Sequence, residues 1–598
     1  MQAFDPLFKT PDSLLSREEI NKRSSRGVVG TLAEEFRDQK SNLSWEAEQL
    51  AKSYGVYLEF NRAKSGAEKD WIYMIRIANA GGGPISREQW RVFDDLSSQW
   101  TPDPQGSPSL RLTTRQNVQF HWVKKPGVIP LVKALAEVGM KSLNGCGDNT
   151  RNVMACPLSR ESKVFDAHAW ARRTANFFEL PAQPFISIFA IDPAYLRSPG
   201  ETYSYGSGLL NRKFKIAFSA LHPDNDGRLI PDNCAEVMTN DLAVVPILSN
   251  GRVESCQIYV GGGQGEKNGS FSTATLAQPL GIIDTARLLR VLETCVKVQD
   301  EWGDRKNRVW ARLKYLIRVK GVSWFRTEVE ARLGFRLDDP NPSLDYGRRE
   351  LHHGWRELSP GRWGRGVFIE NGRLSDTEKN GKLKTMVRRL MDRYPIELLV
   401  TPNQDLIFTG LPAQARDEFD AELKSFGAEQ RQGKPVSALR RLSGSCVGRD
   451  TCRLAYTDSE KFEPELLDEL DRRGWGSVRE SIGVTGCERQ CFRPATKTIG
   501  LVGTGMNMYQ LKLFGDESGQ HQGGPLISSD GKRLFLRTIP RERVADVIET
   551  LFLFHKDQAH PGEGVGDFHR RLGADDIIAH LKTCPTTAPL MEKFVPVD

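Results

Sequence analysis

SLRLTTRQNVQFHWV, residues 109–123, and ELLVTPNQDLIFTGL, residues 397–411, are two copies of one pattern. A shift of 288 residues lays Thr113 on Thr401, Gln116 on Gln404 and Phe120 on Phe408. A few such matches arise by chance, but the flanking elements repeat in the same order. Before the first copy, IYMIRIANAGGG (72–83) reads as a strand entering a glycine turn, and Ser86 with Gln89 three residues on predicts a capping box and a helix through Leu96. After it, PGVIPLVKALAEVG (126–139) reads as a helix stopped by Gly139. The second copy follows RGVFIENGR (365–373), a strand and turn, and the helical KLKTMVRRLMDRY (382–394); the helical ARDEFDAELKSFG (415–427) comes after it. The second copy reads as a strand pair broken at Pro402, the first as one strand. A duplication of such long period is not a solenoid. It predicts two related halves about a pseudo-twofold axis, with a ligand able to sit between them.

The expected fold is therefore α+β (mixed α/β), with an internally duplicated core. Residues 1–70 form a polar arm that wraps something larger, 71–143 a first core half, and 144–353 a mixed region with the glycine run VGGGQGEKNG (260–269). Residues 354–428 form the second core half, and 429–598 a region with paired cysteines. A chain of 598 residues with 39% hydrophobic and 27% charged content builds buried cores and is not disordered. The net charge of +7, from 83 Lys and Arg against 76 Asp and Glu, is too mild to argue for nucleic acid or a membrane surface. No run of 18 apolar residues occurs, and the N-terminus lacks the basic start and apolar stretch of a secretory signal, so the expectation is a soluble cytoplasmic protein.

Four of the ten cysteines are paired closely: Cys446-x5-Cys452 in GSCVGRDTC, and Cys487-x3-Cys491 in VTGCERQC. Four thiolates in two close pairs suit an iron–sulfur cluster or a zinc ion, although structural zinc more often uses C-x2-C pairs. Ordinary burial is the alternative for any cysteine. Read as one strand, 110–122 places Arg111, Thr113, Arg115, Asn117, Gln119 and His121 on one face, a row of donors with two guanidiniums suited to carboxylates or phosphates. A solvated face is the commoner explanation of a single such strand. In RKFKIAF (212–218), Lys213 and Lys215 share a face; neighbouring ammonium groups depress each other's pKa and donate protons more readily. An edge strand guarded by lysines is the alternative. GDNTRNVMACP (147–157) is a loop with Arg151, and DRKNRVWARLKY (304–315) is a basic stretch at helical spacing, with Arg305, Arg308 and Arg312 on one face. The glycine run lacks the G-x-G-x-x-G order of a dinucleotide site.

In order along the chain, SSRGVVGTLAEEFRD, RLTTRQNVQFHW, NRKFK, VGGG, ARLKY, the four cysteines and GEGVGDF (562–568) resemble the sirohaem-containing sulfite and nitrite reductases. The resemblance covers nearly the whole chain and implies three modules around the duplicated core, whose first half, 71–143, is ferredoxin-like. It implies a [4Fe–4S] cluster on Cys446, Cys452, Cys487 and Cys491, with Cys491 also ligating the sirohaem iron. It implies that Arg111, Thr113, Arg115, Gln119, His121 and Arg312 contact the sirohaem carboxylates, that Arg76, Arg151, Lys213 and Lys215 bind the anionic substrate, and that 144–353 and 429–598 are the sirohaem and iron–sulfur modules. It implies six-electron reduction of sulfite to sulfide, with ferredoxin-dependent reduction of nitrite as the alternative. Resembling nitrite reductases usually carry asparagine at the position of Lys215, so lysine favours the doubly charged sulfite. No flavin or nicotinamide domain is evident, so the electrons are expected from a ferredoxin or a separate flavoprotein. One departure stands out: the family usually places Pro-Asn and a small residue between the last two cysteines, where this chain has Glu488, Arg489 and Gln490. A zinc-stabilised binding protein using basic strands for nucleic acid is the reading of another class; the low net charge and the absence of zinc spacing weigh against it.

Overall fold

The repeated pattern folds as two matching β-hairpins in the computed structural model, which describes residues 4–62, 69–196, 200–224, 226–266 and 273–597. In the first, Leu110–Leu112 pairs antiparallel with Val118–Val123, setting Leu112 opposite Val118. In the second, Glu397–Val400 pairs with Leu406–Pro412, setting Val400 opposite Leu406. The register is the same in both. The first copy is thus not the single strand expected: the chain reverses across Thr113–Asn117. The Thr113 hydroxyl accepts from the amides of Arg115 (3.2 Å) and Asn117 (3.1 Å), and that of Thr401 accepts from Asn403 (3.2 Å) and Asp405 (3.1 Å). Each reversal is completed by a glutamine in the left-handed region, Gln116 at φ 59° and Gln404 at φ 72°. These are turns built on a threonine side chain, without glycine.

The two halves exchange hydrogen bonds across their pseudo-twofold axis. The Gln116 amide donates to the Val400 carbonyl at 3.1 Å, and that of Gln404 donates to the Leu112 carbonyl at 3.3 Å. Leu112 and Val400 are themselves equivalent positions. The exchange extends to the sheets. The first sheet runs, by strand, 56–60, 71–76, 118–123, 110–112 and 373–374, so its last strand comes from the second half. The first half returns Ile85, which bonds both ways with Leu398 at the edge of the second sheet (354–359, 362–367, 406–412, 397–400). Helices Arg87–Trp100, opened by the Ser86–Gln89 capping box, and Leu383–Arg393 meet where Lys384 Nζ donates to Asp94 Oδ1 at 2.6 Å. Leu110, Leu112 and Phe120 share one buried core with Leu398, Val400 and Phe408. Burial of this kind stabilises by about 1.5–3 kcal/mol per large side chain.

The arm contributes Leu32, Phe36 and Ala47 to that core and crosses to the middle module, where the Ser16 amide donates to the Arg305 carbonyl at 3.0 Å. The edge strand of the first sheet, Val56–Phe60, lies within what the sequence assigns to the arm. A second core packs around a mixed sheet of strands 278–284, 252–260, 242–249, 216–218 and 154–155. A third surrounds strands 444–445, 482–485 and 499–505, which are parallel, followed by antiparallel 508–513 and 524–525. Among the described residues no helix is long and apolar enough to cross a membrane.

Candidate functional site

Strand pairing explains how cysteine pairs so distant in sequence meet. Gly444–Ser445 and Ile482–Thr485 are adjacent parallel strands, and both deliver a cysteine just past their C-terminal ends, Cys446 and Cys487. The Cys446 amide donates to the Val484 carbonyl at 3.1 Å, and the Gly486 amide donates to Cys446 Sγ at 3.2 Å. Cys487 is buried, Cys446 and Cys452 are half-buried, and Cys491 is exposed. Among the described residues, no three of these sulfurs lie close enough to share one ion. That spread suits a cage larger than a zinc ion, whose ligand atoms sit about 3.3–3.8 Å apart when each is about 2.0–2.3 Å from the metal. Burial holds the thiols of Cys446, Cys452 and Cys487 above their ordinary range, so they ionise only with positive charge supplied.

The hairpin turns meet the Cys491 loop. Thr114 Oγ1 donates to the Cys491 carbonyl at 3.2 Å. Arg493 donates to the carbonyls of Thr114 (3.3 Å) and Pro402 (3.5 Å), equivalent positions of the two hairpins, so its guanidinium sits across the pseudo-twofold axis. Its Nε donates to Glu236, which is fully buried and also pairs with Lys497. The unusual segment between the last two cysteines docks on the glycine run: the Glu266 amide donates to the Glu488 carbonyl at 2.7 Å, and Gln490 Nε2 to Glu266 Oε2 at 2.9 Å. The end of that run, residues 267–269, lies outside the described residues.

The donor row is buried, not solvated. Arg111, Gln119 and His121 face one way across the first hairpin, each at most 5% exposed. Arg111 donates to Glu460 at 2.5 Å and to the Ser445 carbonyl, beside Cys446, at 2.9 Å. With its amide oxygen turned toward Arg76, Gln119 accepts from Arg76 Nε at 2.8 Å; Arg76 also donates to Cys146 Sγ at 2.7 Å. His121 Nδ1 accepts from Arg373 at 3.3 Å, and burial together with Arg373 and Arg111 keeps it neutral, well below the usual imidazole range. Thr113 spends its hydroxyl inside the turn. Arg115, at the turn, donates to Asn240 Oδ1 at 2.8 Å and to the Asn152 carbonyl, has no carboxylate partner among the described residues, and is pushed down to about 9 by burial and the nearby charge of Arg151.

Arg312 does not share a helical face with Arg305 and Arg308. The helix begins only at Leu313, because the Asp304 carboxylate takes the amides of Lys306 (2.7 Å) and Asn307 (2.8 Å) into a local turn. The three arginines go to different acids: Arg305 to Glu19 and Asp300, Arg308 to Asp148, and Arg312 to Asp241 at 2.6 Å. Gly263 has no side chain because a Cβ there would stand 2.7 Å from the Arg312 guanidinium. Arg151 donates through Nε to the Gly147 carbonyl at 2.7 Å. Lys213 and Lys215 are half-buried where the chain enters strand Ile216–Phe218. Burial and neighbouring cations hold both well below the usual lysine range: Lys215 and Arg212 act on Lys213, and Arg115 and Arg312 act on Lys215. The negative charge of a Cys491 thiolate is felt at Arg76, Arg111 and Lys215. The hairpin, the lysine strand and the cysteine loop therefore meet in one cationic region. Sequence reasoning missed the carboxylates behind it, Glu460, Asp241 and Glu236; no local pattern marks them, since Arg312 and Asp241 are 71 positions apart.

Residues 66–138 match the family described as the nitrite/sulfite reductase ferredoxin-like half domain, and 146–337 that described as the nitrite and sulphite reductase 4Fe-4S domain. The chain is 30% identical to a protein of Shewanella woodyi named sulfite reductase [NADPH] hemoprotein beta-component, over 94% of this chain and 95% of that one. The chain belongs to the nitrite and sulphite reductase family. Relatives of the same name from Myxococcus xanthus (31% identity, 94% of this chain and 97% of the relative) and Geobacillus kaustophilus (30%, 95% and 97%) agree. The fold is shared with the solved NirA protein of Mycobacterium tuberculosis, at a TM-score of 0.73 and 23% identity over 94% of this chain and 97% of that one. The chain is accordingly an oxidoreductase with a duplicated ferredoxin-like core. The four paired cysteines lie outside both matched segments.

Proposed function

We propose that this chain reduces sulfite to sulfide at a sirohaem whose iron shares the Cys491 thiolate with a [4Fe–4S] cluster on Cys446, Cys452, Cys487 and Cys491. The observation that carries this reading is Cys491, the exposed member of the four, whose carbonyl accepts from Thr114 of the first hairpin and whose charge acts on Lys215. The donor set fits both groups. The sulfurs are spread too widely for one ion, and Arg115 Nε and Arg312 Nε are buried without a protein partner among the described residues, as a carboxylate-rich tetrapyrrole requires. When bound, the two groups supply electrons singly to an iron that can hold the anion.

The chain's own residues bind, orient and protonate. Arg111, Arg115, Gln119, His121 and Arg312 receive the tetrapyrrole's carboxylates and polar edge, and Thr113 holds the turn that presents them. Arg76, Arg151, Lys213 and Lys215 face the anion. In a site screened from water, charge-assisted hydrogen bonds to the oxyanion outweigh those to a neutral competitor. Lysines whose pKa is depressed by burial release protons to the sulfite oxygens, which leave as water. The relatives carry NADPH in their name and are beta components, so the donor we assign is a separate flavoprotein. Ten free cysteines fit a reducing, cytoplasmic setting. Anaerobic turnover with a chemical reductant, offering sulfite and nitrite separately and assaying sulfide and ammonia, tests the reading. Sulfide as the faster product is expected; ammonia formation with a higher kcat/KM would reverse the assignment.

A further inference from the structure

A second constellation lies apart from the cluster cysteines. Cys156, His222, Asp232 and His352 are all buried, and one ligand atom of each lies within 4.8 Å of the other three. Cys156 Sγ is 3.0 Å from His222 Nε2 and 3.3 Å from His352 Nε2. Asp232 Oδ2 is 3.3 Å from His222 Nε2 and 3.0 Å from His352 Nε2. Each Nε2 thus faces both a sulfur and a carboxylate oxygen. A ring nitrogen has one proton or one lone pair at that position, so hydrogen bonding satisfies one of its two neighbours well, not both. Four atoms of alternating type around a common centre are instead the arrangement of a tetrahedral ion. We infer that Cys156, His222, Asp232 and His352 bind a structural zinc ion.

The dimensions and chemistry agree. Zinc bonds of about 2.3 Å to sulfur and about 2.0–2.2 Å to nitrogen and oxygen give tetrahedral edges of about 3.3–3.6 Å. The observed edges need to open by only a few tenths of an ångström. One thiolate, one carboxylate and two neutral imidazoles around a divalent cation sum to zero charge, the state least costly to bury. Two nitrogens, one sulfur and one oxygen form a borderline-soft set that favours zinc over magnesium or calcium. The outer partners orient the ligands. Asp232 Oδ1 accepts the Cys234 amide at 2.8 Å, leaving Oδ2 for the centre, and the Cys234 thiol hydrogen-bonds Cys156. His352 holds a left-handed backbone, φ 59°, which a histidine adopts at a cost and which here aims the ring inward. The Arg356 guanidinium, 3.4 Å from His352 Nδ1, must shift slightly, since that nitrogen carries the proton when Nε2 binds metal.

The ligands come from three places: the end of strand Met154–Ala155, the hairpin of Ala220–Pro223 with Leu229–Asp232, and the segment leading into strand Gly354–Ser359. Zinc here ties strand Met154–Ala155 and the 220–232 hairpin to the segment that leads into the second core half. The test is elemental analysis and zinc K-edge X-ray absorption on the holoenzyme, produced with both iron and zinc supplied. About one zinc per chain is expected beyond the iron, with one sulfur at about 2.3 Å and three nitrogen or oxygen neighbours at about 2.0–2.2 Å. Cys156→Ala and His352→Ala should each lose the zinc while keeping iron and the visible spectrum. Absence of zinc from the wild-type protein overturns the proposal. So does zinc ringed by four sulfurs, which would mean metal misplaced on Cys446, Cys452, Cys487 and Cys491. The wild-type absorption spectrum decides between these outcomes even where a variant does not fold.

Discussion

Replacing Arg493 with alanine should loosen three parts of the site at once. The guanidinium pairs with the buried Glu236 and donates to the carbonyls of Thr114 and Pro402, at the tips of the two hairpin turns. Removing one partner of a buried ion pair costs about 3–5 kcal/mol, and the Lys497 ammonium still at Glu236 places this case near the lower end, at about 3 kcal/mol. That is over a hundredfold in a local opening equilibrium. Hydrogen exchange of the amides around 113–117, 401–405 and 487–493 reads it directly, and both turns should accelerate together because one side chain serves both. Arg493→Lys keeps the charge but loses the fork and should give an intermediate effect. The pH dependence has a definite sign. Burial would raise the Glu236 pKa, but Arg493 and Lys497 hold it down to about 2. Its contribution is therefore complete above the ordinary value of 4.5 and is lost as pH falls toward about 2. The gap between wild type and Arg493→Ala should shrink as pH is lowered through that window. Acceleration of one turn alone, or a gap that widens in acid, would refute the reasoning.

Lys215→Asn should lower sulfite kcat/KM by at least about tenfold, the loss of one charge-assisted hydrogen bond, while nitrite turnover falls less or rises; steady-state kinetics of both anions on one coloured preparation check it, and an unchanged ratio removes Lys215 as the discriminator. Cys491→Ser should damage both the cluster and the haem spectrum, whereas Cys446→Ser, which loses the sulfur that accepts from the Gly486 amide, should act first on iron and labile sulfide; equal, mild changes would contradict the bridging role. Gly82→Ala should destabilise the core by about 3 kcal/mol or more, because a Cβ there stands 2.2 Å from the Val400 carbonyl and 2.5 Å from Gln116 Nε2 on a backbone at φ 90°; denaturant unfolding measures it, and a near-wild-type midpoint would refute the close approach.

The duplication was legible because Thr113 and Thr401, Gln116 and Gln404 perform the same turn-forming work in both halves, and shared work keeps residues alike. The reversal itself was hidden in the first copy. Turn prediction looks for glycine, proline or Asn-Gly, and here a threonine hydroxyl and a left-handed glutamine replace them, with only Pro402 marking the second copy. Helical spacing misled at Arg305, Arg308 and Arg312 because Asp304 offers the backbone a competing turn that periodicity does not register. The cationic residues could be picked from the chain, but their acids could not. Arg111 and Glu460 are 349 positions apart, and their meeting depends on how the first core half packs on the cysteine module. Cys156, His222, Asp232 and His352 follow no ligand spacing, since separations of 66 and 120 positions leave no motif.

Those acids also divide the cations into two kinds of work. Arg111, Arg312 and Arg493 each have a carboxylate behind them, in Glu460, Asp241 and Glu236. Each is locked in direction with much of its charge already answered, which makes it a good scaffold for a large, rigid, multiply charged ligand. Arg115 has only neutral partners, and neither Lys213 nor Lys215 has an ion pair among the described residues. None of the three pairs with a carboxylate among the described residues, although Asp241 acts from nearby on Arg115 and Lys215, and burial makes holding their charge costly, which depresses their pKa. On the function proposed above, an incoming dianion would relieve that cost at the moment it binds, and the crowding of cations would become selectivity for charge. A surface with the same residues and an acid beside every lysine would bind the tetrapyrrole about as well and would have little reason to prefer sulfite.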